Sequence, residues 1–156
     1  MRTLNEVALE FCSLIEQTGI KEQTFSDRLS RILAELVYAV LRIPDDGLAD
    51  AGAENYERRD YDEIRAALPQ LPFQHYREIF DAFDWEDDEP VVGDLYDDLA
   101  DIYRDLSEGL FIHQHVSNTE AERYWRQSFR YHWGEHATSA LRALYWAHRN
   151  QPYEFL

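Results

Sequence analysis

Cysteine is nearly absent from this chain, and the single residue, Cys12, excludes an internal disulfide. A reducing compartment is the natural setting for such a composition. Lysine is as scarce: Lys21 stands alone against fourteen arginines. Six glycines leave little material for a phosphate-cradling loop, and no Gly-x-Ser-x-Gly elbow occurs. Long apolar runs are missing as well, so neither a signal peptide nor a membrane span is expected, and the cytoplasm follows by default. A net charge of −16 should repel nucleic-acid backbones and anionic lipid, so direct binding to either is not expected.

What remains is an acidic chain with enough apolar material to fold. Its 156 residues suit one domain with a proper core, and 45% hydrophobic residues argue against disorder. The charge is unevenly spread. Residues 86–108 hold ten acidic groups against one arginine, whereas residues 117–150 are slightly basic.

Within that acidic block, Leu95, Leu99, Ile102, Leu106 and Leu110 recur at helical spacing and form one apolar stripe. Asp94, Asp98, Asp101 and Asp105 recur on a second stripe about a quarter turn away. Upstream, Thr3-Leu4-Asn5-Glu6 has the form of a capping box and opens a helix to about Gln17. Thr24 followed by Asp27 suggests the next helix start, with an apolar stripe from Leu29 to Leu41 before Pro44. The two should form an antiparallel hairpin. Between Pro44 and Trp85 the pattern weakens. Tyr61–Leu68 reads as a short helix, and Phe73–Phe83 as another, its aromatics Phe73, Tyr76, Phe80 and Phe83 set to clamp the core. Ser117-Asn118-Thr119-Glu120 opens a last helix of about 45 Å, to about His148. Gly134 in its middle points to close approach by a neighbouring helix. The expected fold is all-α: one domain, a bundle of four main helices with one or two short extra ones and no strand.

Three groups could carry chemistry. The four aspartates could hold Mg²⁺, Mn²⁺ or a di-metal centre, although the Glu-x-x-His pairs usual in bundle di-metal proteins are missing. The blander reading is a solvated stripe, or one met by Arg123, Arg126 or Arg130. The excess of acid favours an unpaired stripe whose mutual repulsion raises its pKa values. His132 and His136, at i and i+4, could share a zinc or nickel ion. Because they follow Trp125 and Phe129, core histidines bonded to neighbours are the ordinary reading, with no tightly bound metal. His113 and His115 could join them only if the fold brings them near. Finally, Glu54-x-x-Glu57 and Glu78-x-x-Asp81 match in spacing the carboxylate pairs of all-α nucleotide pyrophosphatases, without their helical context. Cys12, beside an apolar stripe, reads as a buried and inert thiol.

The run Asp88-Glu89-Pro90-Val91, then Asp97-Asp98-Leu99-Ala100-Asp101-Ile102-Tyr103-Arg104-Asp105-Leu106, carries a resemblance. It continues through Trp133-Gly134 and Ala140-Leu141-Arg142-Ala143-Leu144. Over these stretches the chain resembles the domain-of-unknown-function family numbered 5063. The resemblance implies a small all-helical domain, supplies no catalytic residue or cofactor, and does not involve His132 or His136. By class, the expected function is a non-enzymatic module whose acidic, aromatic-bearing surface meets another protein. The alternatives are a metal-dependent hydrolase using the aspartates, or an acidic mimic of nucleic acid.

Overall fold

The computed structural model describes residues 1–50, 53–79, 81–87 and 89–150. Among these residues six α-helices and one small sheet follow one another: α1 (Leu4–Glu16), α2 (Glu22–Leu41), α3 (Tyr61–Ala67), β1 (His75–Glu78), β2 (Val91–Asp94), α4 (Leu95–His115), α5 (Asn118–Ser128) and α6 (Gly134–Asn150). A five-residue π-helical turn, Phe129–Trp133, joins α5 to α6, so the last helix runs on with a bulge in it. The fold is predominantly α, as expected.

The N-caps of α1 and α5 form where the sequence places them, the first as a full capping box. Thr3 caps α1 and exchanges hydrogen bonds with Glu6, and the Ser117 hydroxyl accepts from the Glu120 amide at the start of α5. Thr24 and Asp27 do not start α2. That helix begins at Glu22 after Lys21, without a side-chain cap, and Asp27 accepts from Gln23 one turn back.

The central element is α4, which packs against α1, α3, α5 and α6. Leu95, Leu99, Ile102 and Leu106 are fully buried on it, which is the apolar stripe put to use. Contacts between α4 and the last helix run Leu106 to Trp125, Asp105 to His132 and Asp98 to His136, so the two are antiparallel. Arg2 meeting Glu35 and Arg28 facing Glu10 give α1 and α2 the same relation. Both buried indoles are satisfied: Trp125 donates to the Leu106 carbonyl and Trp133 to the Trp125 carbonyl, each at 3.2 Å. Cys12 is buried, and burial pushes its thiol well above its ordinary pKa, so it is inert.

Two expectations need correction. Residues 75–78 form a strand, paired antiparallel with 91–94 in the register Tyr76 to Gly93. A Cβ on Gly93 would lie 2.4 Å from the Tyr76 ring, so glycine there is what lets that ring lie flat across the pair. Of the expected aromatic clamp, Phe73 and Tyr76 pack on the core edge-to-face, Phe83 is exposed, and Phe80 lies outside the described residues, as does Asp88 of the acidic turn. Gly134 is likewise not the point of closest approach between helices. A Cβ there would lie 2.3 Å from the Phe129 carbonyl oxygen of its own π turn. The close approach is at Gly109 on α4, where a Cβ would fall 1.9 Å from Nε1 of Trp125.

Candidate metal centre

The aspartate stripe faces the last helix and not solvent. Asp98 is 6% exposed and Asp105 3%, which overturns the expectation of a solvated, unpaired ladder. A charge buried to this degree needs partners, and the fold supplies them from three directions. His132 Nδ1 lies 2.7 Å from Asp105, and His136 Nδ1 2.9 Å from Asp98. The Tyr76 hydroxyl, from β1, donates to Asp98 at 2.5 Å, and Arg58, from the loop before α3, reaches Asp105 at 3.4 Å. Arg123 and Arg130 pair elsewhere, with Asp46, Glu120 and Asp45. With Asp98 and Asp105 buried, the stripe is not a continuous exposed edge of charge.

Ionised aspartate can only accept, so each histidine donates through Nδ1 and keeps Nε2 free to act as a ligand. Both free nitrogens point towards Asp101. His132 Nε2 lies 3.9 Å from one of its oxygens and His136 Nε2 3.6 Å from the other. One ligand atom from each of Asp101, His132 and His136 falls within 4.8 Å of the others. Bonds of about 2.1 Å at a tetrahedral ion set donors about 3.4 Å apart, so small movements would close this triangle. The two rings stand edge-to-face, 5.1 Å apart. The π turn ends at Trp133, one residue after His132 and three before His136, and such a bulge rephases a helix face. The His132 side chain is 45% exposed and that of His136 26%, so they are bonded to neighbours without being core residues.

The electrostatics agree with the geometry. The hydrogen bond to Asp98 raises the His136 pKa against the opposing effect of burial. Burial raises that of Asp101, and the two histidines hold it back. The rise comes mainly from desolvation, with repulsion by Asp105 on the same stripe a smaller contribution.

Asp94 stands apart. It caps α4, accepting from the amides of Tyr96 and Asp97, and holds Gln74 and Arg65. Partial burial pulls its pKa up, but the Gln74 and cap hydrogen bonds and Arg65 outweigh that, and the net value is lowered. Because the folded value lies below the unfolded one, its stabilisation is complete above the ordinary value of 3.8 and is lost as pH falls through the folded value. Asp94→Ala should therefore cost about 1 kcal/mol between pH 7 and 5. The gap in urea midpoint between the two proteins should shrink below about pH 4. A gap that widens on acidification would contradict the capping role.

Other expected groups do not converge. His113 and His115 end α4, about three turns beyond Asp101, with His115 stacked on Phe111. Glu54 and Glu57 are exposed loop residues and Glu78 is on β1, so the two carboxylate pairs are not on facing helices. Sequence reasoning missed Tyr76 and Arg58, which approach from irregular or strand segments.

A family model matches residues 1–149. The chain belongs to the family described as domain of unknown function, DUF5063. This DUF5063 protein is also similar in structure to protein BF1032 from Bacteroides fragilis, known from a crystal structure, with a TM-score of 0.75 and 25% identity. That match covers 98% of this chain and 94% of the other. No curated protein matches it significantly. No helix among the described residues is long and apolar enough to cross a membrane.

Proposed function

We propose that this DUF5063 protein holds one divalent transition-metal ion at Asp101, His132 and His136 and uses it as a Lewis acid. The observation that carries the reading is the fixing of both Nδ1 atoms by Asp105 and Asp98, which turns both Nε2 atoms onto one carboxylate. Two histidines and a carboxylate suit Zn²⁺ or Fe²⁺ and leave coordination positions open for water or substrate. A metal-bound water with its pKa brought down to about 7 is the nucleophile of a metal-dependent hydrolase. The test is a titration of chelator-stripped protein with Zn²⁺ by calorimetry and with Co²⁺ by absorption. One equivalent should bind, and Asp101→Asn, His132→Ala and His136→Ala should each weaken it by more than about 100-fold. Binding no tighter than about 1 mM, or binding that survives the double histidine variant, overturns the reading.

A second reading, a non-enzymatic module that meets another protein, is favoured by one surface. Phe83 and Trp85 are 86% and 89% exposed within the acidic turn after β1. Apolar rings standing free among carboxylates suit a partner with a basic, apolar face. A partner retained by the wild type but lost in Trp85→Ala, with metal binding intact, would establish it; retention by that variant would end it.

A further inference from the structure

Two cavities adjoin at Glu78 and Ser139. The one beside His136, about 470 Å³, is walled by Glu78, Asp94, Asp97, Asp98 and Glu135. The other, about 540 Å³, lies further along α6 and is lined by Phe73, Tyr76, Arg77, Arg142, Ala143 and Trp146. Glu78 and Ser139 contribute to both. His136, Ser139, Ala143 and Trp146 follow at spacings of three, four and three, so one face of α6 runs from the candidate metal ligand into the far cavity. The two cavities are neighbours, and each is of the size that small molecules occupy.

The two ends differ in charge. The near end is acidic and has no arginine or lysine among its lining residues. The far end carries two arginines against Glu78, in a chain of net charge −16. Arg2, Arg58, Arg65, Arg123 and Arg130 are all held by carboxylates. The side chains of Arg77 and Arg142 make no hydrogen bond or ion pair among the described residues. They stand beside uncovered aromatic surface, with Trp146 47% exposed.

We propose that the far cavity binds an organic oxyanion with an apolar body and serves as the substrate-binding limb of the metal centre. The guanidinium of Arg142 matches a carboxylate or phosphate group through its planar pair of donors. Trp146 and Phe73 take the body. Six residues of helix separate Arg142 from His136, about 9 Å along the axis, so the anion and the group presented to the metal are that far apart. The acidic near limb repels a second anion, and the end at His136 is therefore neutral or cationic. The role as a substrate limb rests on the metal reading; the recognition of the anion does not.

The test uses 3-phenylpropionate and its neutral counterpart 3-phenylpropanol, titrated into the full chain and followed by NMR at the backbone amides of α6. The acid should bind about tenfold tighter than the alcohol or better. An Arg77→Gln, Arg142→Gln variant should bring the acid down to the alcohol's affinity and leave the alcohol unchanged. Trp146→Ala should weaken both. Equal affinities in the wild type, an anion preference that survives loss of both arginines, or no binding by about 10 mM overturns the proposal. Zinc titration of the same samples keeps the two readings apart. Anion preference without zinc binding leaves the cavity and removes the metal; zinc binding without anion preference does the reverse.

Discussion

Gly109→Ala should lower the stability of this protein by about 2–3 kcal/mol, an unusual cost for adding one methyl group to a helix. Within a helix alanine is favoured over glycine by about 1 kcal/mol, so the sign rests on packing. The new Cβ would lie 1.9 Å from Nε1 of Trp125 and 2.3 Å from Cε2. Trp125 cannot swing aside, because it is fully buried and its indole donates to the Leu106 carbonyl one turn away on α4. Either that hydrogen bond breaks, at about 1–3 kcal/mol for a buried donor, or α4 and α5 separate and lose close packing. Urea unfolding should show a clear fall in midpoint, and the melting temperature should drop by roughly 4–10 °C. A midpoint within error of the wild type would mean that the helices part easily here. Gly134→Ala meets only its own turn at Phe129, so its effect belongs to the π turn and should not separate the helices.

The same pair of glycines shows what could be read from the sequence. Gly109 continues the stripe Ile102, Leu106 at a spacing of three, which marks it as a residue facing the core. Gly134 sits where a periodic reading also finds a core face, but a π turn interrupts the period and changes its role. Periodicity reported the apolar stripe of α4 correctly because burial there repeats every turn. It failed at residues 75–78, where four residues pair with partners thirteen to nineteen positions away and aromatic spacing imitates a helix. The aspartates were legible as a stripe but not as a buried one. Local charge counting finds ten acids against one arginine, yet the partners come from Arg58 behind and His132 and His136 ahead. Only the antiparallel packing of α4 on the last helix brings the two stripes into register. The histidine pair was visible as half a site, and its third ligand, Asp101, was visible as part of another.

Removing the carboxylates behind the histidines should weaken metal binding without touching the ligands. Asp98→Asn and Asp105→Asn should each lower Zn²⁺ affinity about 10–100-fold. Asparagine keeps the size of the side chain and one acceptor oxygen, so the buried site stays filled. It loses the charge that makes Nε2 a better donor, and its amide can turn to donate to Nδ1 and so select the wrong tautomer. The two aspartates act on different rings but one ion, so their effects should be coupled and the double variant need not give the product of the single losses. Tyr76→Phe removes a donor to Asp98 and leaves its charge in place, and its effect should be smaller. The decisive comparison is Asp94→Asn. Asp94 belongs to the same stripe and carries the same charge, but it holds Gln74 and Arg65 and bonds to neither His132 nor His136. If the carboxylates act by orienting the two rings, Asp94→Asn leaves the affinity unchanged while Asp98→Asn and Asp105→Asn reduce it. Equal losses in all three would mean that the stripe attracts cations through its net charge alone, and the assignment of Asp98 and Asp105 as positioning residues would fall.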